Sequence, residues 1–95
     1  MHTRGPLDPR DAKRAFRSIL TSGSLIFRRH AREEMEKDGL TEIDCKNILR
    51  AGVVEEPELV NGRWRYRARS QNMTFVVELL SDRKLLVVTG WRERR

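Results

Sequence analysis

The chain has one cysteine, two histidines, three prolines and few aromatic residues, which make up 6% of its 95 positions. A lone Cys45 forms no internal disulfide, and one cysteine with two histidines is too small a set for a zinc site. No metal and no other cofactor is expected. Long apolar runs are missing too: the strongest, Met73–Leu80, is far short of the roughly 20 residues that span a bilayer. The opening MHTRGPLDPR is polar and lacks the apolar centre of a secretory signal. These absences predict a cytoplasmic protein without membrane association. Internal repeats and low-complexity segments are absent as well. A chain of this size buries one modest core, so residues 1–95 are expected to form a single domain, with 1–8 flexible.

Positive charge, by contrast, is abundant. Lys and Arg number 20 against 14 Asp and Glu, a net charge of +6. Residues 1–56 hold 11 basic and 10 acidic side chains, whereas 57–95 hold 9 and 4, so the excess lies in the C-terminal part. Such a surface attracts polyanions, whether RNA, DNA, anionic lipid or an acidic partner protein. Arginine dominates where the charge is concentrated, and its planar fork suits phosphate better than the point charge of lysine.

The organising stretch is Phe27–Gly52. Ala31 and Met35 recur at helical spacing while Arg28, Arg29, Glu33, Glu36 and Lys37 can face water, which predicts a short helix over Arg28–Asp38. Gly39 stops it, with Leu40 folding back as the apolar contact of the cap. Thr41 then restarts the chain as an N-cap, Asp44 completes a capping-box pattern, and Ile43, Ile48 and Leu49 supply an apolar stripe up to Gly52.

Upstream, Asp8 is placed to cap a helix over about Pro9–Leu20, in which Ala12, Ala15, Phe16, Ile19 and Leu20 share a face. Lys13, Arg14 and Arg17 fall elsewhere and read as a solvated basic face. Thr21-Ser22-Gly23-Ser24 ends that helix, and Leu25-Ile26-Phe27 reads as a short extended insertion. After Gly52 the period changes. Val53-Val54 starts an extended segment, Asn61-Gly62 signals a turn, and Arg63–Arg69 alternates without a break, Trp64, Tyr66 and Ala68 against the four arginines. Met73–Leu80 and Leu85–Trp91 complete a meander joined by short turns. The predicted fold class is α+β, with about three N-terminal helices packed on one face of a small antiparallel sheet.

This order of elements resembles the RelE-like bacterial toxins, especially their MqsR branch, over roughly Asp11 to Glu93. The His30-Ala31, Met35 and Gly39-Leu40-Thr41 spacing also resembles the signature of an uncharacterised bacterial family in the same broad group. The resemblance implies a toxin of a toxin–antitoxin pair: a metal-independent endoribonuclease that cleaves messenger RNA, free or ribosome-bound, and is restrained by a cognate antitoxin protein. The terminal run of the MqsR branch matches Val87-Val88-Thr89-Gly90-Trp91-Arg92-Glu93-Arg94, which puts Arg92 in the place of its catalytic lysine. Tyr66-Arg67-Ala68-Arg69 matches the tyrosine-arginine-x-arginine of that branch, and Phe75 stands where a further tyrosine would be.

Cleavage by the 2′-hydroxyl needs a proton acceptor, cations on the phosphate and a proton for the leaving oxygen. Histidine is the side-chain type suited to move protons near neutral pH, so His30 is the obvious acid or base, or else a structural residue bonded to Glu33, Glu34 or the backbone. Tyr66 and Arg92 complete the catalytic candidates. Arg63, Arg65, Arg67 and Arg69 are candidates to hold RNA phosphate, since like charges two residues apart repel unless an anion lies over them; the other reading is a solvated sheet face. Trp91 either stacks a base or caps the core. A different class of function uses the same basic sheet without catalysis, to bind RNA or an acidic partner protein.

Overall fold

Residues 6–93 are described by a computed structural model. Asp8 accepts a hydrogen bond from the Asp11 backbone N–H (2.9 Å) and caps helix α1, Pro9–Ser22, two residues longer than the sequence pattern gave. Leu7 and Asp8 therefore take part in the fold. Of the segment expected to be flexible, residues 1–5 lie outside the described residues. Ala12, Phe16 and Ile19 are the buried residues of α1.

Strand β1 is Ser24–Phe27 and helix α2 is Arg29–Lys37. Gly39 (φ 69°) takes the left-handed conformation that closes α2, and the Leu40 N–H reaches back to the Met35 carbonyl (2.8 Å) while its side chain is buried. Helix α3, Glu42–Ala51, opens on a complete capping box: the Thr41 hydroxyl accepts from the Asp44 N–H (3.1 Å), and the Asp44 carboxylate accepts from the Thr41 N–H (2.9 Å). Ile43 does not join its apolar stripe. Cys45, Ile48 and Leu49 form the buried side, and the helical period turns Ile43 away from it, leaving it 69% exposed.

Five strands follow: β2 (Val53–Val54), β3 (Glu58–Val60), β4 (Arg63–Arg69), β5 (Met73–Ser81) and β6 (Lys84–Arg92). The short segment before Asn61 carries no clear strand pattern of its own, so β3 is not expected from the sequence. It forms because Asn61 and Gly62 both take positive φ (53° and 78°), a two-residue hairpin turn that pairs Val60 with Arg63. The sheet runs β1-β6-β5-β4-β2, with β3 also on β4. It is mixed rather than antiparallel, because β1 pairs with β6 in parallel, Leu25 beside Leu85 and Phe27 beside Val87. Two helices and four strands separate β1 from β6 in the chain, ample length for a crossover that no hairpin could supply.

Tyr66, Ala68, Phe75, Val77, Leu85 and Val87 form one buried cluster with Phe16, Ile19, Ala31, Met35, Ile48 and Leu49. At its centre the Phe16 and Tyr66 rings meet edge to face, 5.8 Å apart at 83°. Each such fully buried side chain contributes on the order of 1.5–3 kcal/mol. The described residues thus make a small α+β domain of three helices and a six-stranded mixed sheet.

Candidate nucleic-acid interface

Strand alternation decides what β4 can present. Tyr66 and Ala68 belong to the buried cluster, so Arg63, Arg65, Arg67 and Arg69 project from the other face of the sheet. Register then brings Glu78 and Leu86 into line with Arg65, Val76 and Thr89 into line with Arg67, and Thr74 and Trp91 into line with Arg69.

The arginine row is answered by acids from neighbouring strands. The Arg65 Nε–H donates to Glu78 Oε2 (2.8 Å), and Glu78 is only 2% exposed. Arg69 pairs with Glu55, which precedes β3. Glu58 stands opposite Arg65 on β3. Repulsion along the row is therefore relieved at Arg65 and Arg69 without a bound anion, which weakens the argument from like charges. Arg67 differs from its neighbours. It is exposed, forms no ion pair among the described residues, and its guanidinium carbon lies 5.8 Å from the centre of the Trp91 ring. Trp91 is half-buried, and its indole N–H donates to Glu93 Oε2 (2.8 Å), which also accepts from the Thr74 hydroxyl (3.0 Å). These bonds fix the ring on the open side of the sheet. Arg63 is exposed at the start of β4, also without an ion pair among the described residues.

The three catalytic candidates are not brought together. Tyr66 is 1% exposed, on the opposite face from the arginines, and its hydroxyl accepts from the Leu7 backbone N–H (2.9 Å). It is a core residue with a bonded hydroxyl. Arg92 is a tether: its backbone N–H donates to the Asp38 carboxylate (2.8 Å) and its Nε–H to the Asp38 carbonyl (3.2 Å), holding the end of α2 on β6. His30 is exposed on the first turn of α2, whereas Asp38 follows its last turn. At 1.5 Å per residue, about 12 Å of helix separates His30 from the residue that holds Arg92. Of the basic tail, Arg94 and Arg95 lie outside the described residues.

Glu78, Glu55 and Asp38 were missed in the sequence, although one signal for Glu78 was there. Counting outward from the turn in which the Ser70 N–H meets the Met73 carbonyl puts Glu78 opposite Arg65. Cys45, fully buried in α3, has its thiol pushed up to about 12, chiefly by burial and then by the charges of Glu42 and Asp44, so it offers no nucleophile. Among the described residues no group of three or more His, Cys, Asp or Glu is placed to hold a metal ion, and no helix is long and apolar enough to cross a membrane. Comparison of the chain with protein-family models, curated proteins and solved structures found no match.

Proposed function

We propose that this domain binds single-stranded RNA on the open face of its sheet, without cleaving it there, and works in the cytoplasm. The observation that carries this reading is the pair formed by Arg67 and Trp91, an exposed cation without an acidic partner among the described residues beside a fixed aromatic ring. A base stacks on such a ring whatever its identity, while the guanidinium meets the adjoining phosphate. No proton-transfer side chain of the candidate set stands beside this pair, which favours binding over catalysis.

A second reading keeps the RelE/MqsR-like build, with helices covering one face of the sheet, and the activity that goes with it: a toxin endoribonuclease that cleaves messenger RNA and is held by an antitoxin. His30 supports it, because the imidazole is exposed and adjoins exposed Arg29 with Arg32 half a turn on. The two readings separate cleanly. With a labelled 12-nucleotide RNA, Trp91→Ala should weaken binding by about 1–3 kcal/mol and Arg67→Gln should reduce the salt slope by about 0.7, while His30→Ala changes neither. Binding unchanged in the first two variants rejects the sheet-face reading. Induced expression with sequencing of new RNA 5′ ends tests the toxin reading; growth arrest and new ends lost in His30→Ala would establish it, and intact RNA with unimpaired growth would reject it.

A further inference from the structure

A set of five cations without ion pairs among the described residues lies away from the sheet face. On α1, Arg10, Arg14 and Arg17 follow one another at intervals of four and three residues, the repeat that aligns side chains on one side of a helix, and all three are exposed. Lys13 flanks them. The buried residues Ala12, Phe16 and Ile19 occupy the opposite side. The row continues onto α3, because the Arg17 Nε–H donates to the Arg50 carbonyl (3.0 Å) and so sets the two arginines side by side. Arg50 is itself steadied by its Nη1–H, which donates to Asn47 Oδ1 (2.9 Å). None of Arg10, Lys13, Arg14, Arg17 and Arg50 forms an ion pair among the described residues. The nearest acids on α1, Asp8 and Asp11, sit at its first turn, where Asp8 is occupied as the cap.

We propose that this face of α1, extended by Arg50, is a second polyanion-binding surface that takes the phosphate backbone of a nucleic-acid duplex. Arg10 to Arg17 spans about 10.5 Å at the helical rise, and phosphates along one duplex strand advance about 3.4 Å each along its axis, so the row covers about three phosphate steps. Arg17 uses one of its five N–H donors on Arg50, and the remaining four stay in their fixed fork. An acidic protein partner fits less well. A protein interface needs an apolar centre, and half-buried Leu20, beside Arg17, Thr21 and Arg50, is the one large apolar side chain of the concavity here. Because Phe16 of α1 packs on Tyr66, this surface and the Arg67–Trp91 face lie on opposite sides of β4, and each binds independently of the other.

A fluorescein-labelled 20-base-pair DNA duplex tests the assignment, since its stacked bases are closed to Trp91. Measured by anisotropy across a salt series, Arg10→Gln with Arg14→Gln should reduce the slope of log K against log salt by about 1.8. Arg67→Gln with Trp91→Ala should leave duplex binding unchanged. As a control for net charge, Lys37→Gln with Lys46→Gln removes two cations that are paired with Glu34 and Glu42. The proposal is overturned if the wild-type chain does not bind the duplex at 50 mM salt, if the α1 variant keeps the wild-type slope, or if the control loses as much. Loss of duplex binding in the sheet-face variant would overturn the independence of the two surfaces.

Discussion

Replacing Arg65 with methionine should destabilise the domain by about 2–3 kcal/mol, although Arg65 lies in no part of the apolar core. The Arg65 side chain is 24% exposed, its partner Glu78 is 2% exposed, and their contact is 2.8 Å. The second oxygen of Glu78, Oε1, is buried without a hydrogen-bond partner among the described residues, so Arg65 is what compensates the carboxylate for leaving water. Breaking a fully buried pair from one side costs roughly 3–5 kcal/mol; the partial exposure of Arg65 lets solvent recover some of that, which sets the lower figure. For a domain of this size each kcal/mol moves the midpoint by roughly 4–8 °C, so thermal unfolding followed by circular dichroism should show a loss of about 10–20 °C. Replacing both partners, Arg65→Met with Glu78→Leu, removes the buried charge and should return the midpoint to within a few degrees of the original. A single variant that loses less than about 1 kcal/mol, or a double variant no more stable than the single, would refute the claim that Arg65 serves chiefly to hold Glu78.

Thr41→Ala removes the hydroxyl half of the capping box and should cost about 1 kcal/mol in urea unfolding, while Thr41→Ser restores most of it. Gly90→Ala places a methyl group 2.5 Å from Cδ2 of the buried Phe75 ring, so destabilisation of about 1–3 kcal/mol is expected, and Phe75→Leu in the same chain should recover part of it. Burial raises the Cys45 thiol from 9.0 to about 12, so the unfolded chain releases that proton first. Its contribution is fully present below pH 9 and is lost as pH rises from 9 toward 12, by up to about 1.4 kcal/mol per unit. Unfolding measured from pH 8 to 11 should show a shallower alkaline decline for Cys45→Ala than for the parent chain; equal slopes would rule this out.

Features decided within a few residues were legible in the sequence. Thr41 and Asp44, Gly39 with Leu40, and the Asn61-Gly62 turn each declare themselves through short-range hydrogen bonding or backbone sterics, and all are found in place. The alternation of Arg63–Arg69 likewise identified which side of β4 is buried. What failed was distant pairing. Nothing local in Ser24–Phe27 states that it lies parallel to Lys84–Val87, because the preference arises only once the helices have brought the two segments side by side. The dispersal of the catalytic candidates has the same cause. His30 and Arg92 each look chemically apt, but the distance between them depends on how α2 lies along β6, and the Asp38 contact that employs Arg92 joins residues far apart in the chain. The acids that answer Arg65 and Arg69 come from β5 and from the segment before β3, so β4 alone shows four uncompensated charges where the folded sheet pairs two of them.

The parallel pairing of β1 with β6 also bears on how the protein is made. Ser24 finds its neighbour Lys84 only after about sixty further residues have been joined to the chain. At the usual pace of roughly 5–20 residues per second, the apolar segment Leu25-Ile26-Phe27 waits about 3–12 s for the strand that shelters it. During that interval the helices on either side can form, but the sheet has no place for β1 until β6 arrives. The nascent chain thus carries a sticky, unpaired strand while those sixty residues are made, and chaperones that recognise short extended apolar segments have a clear target there.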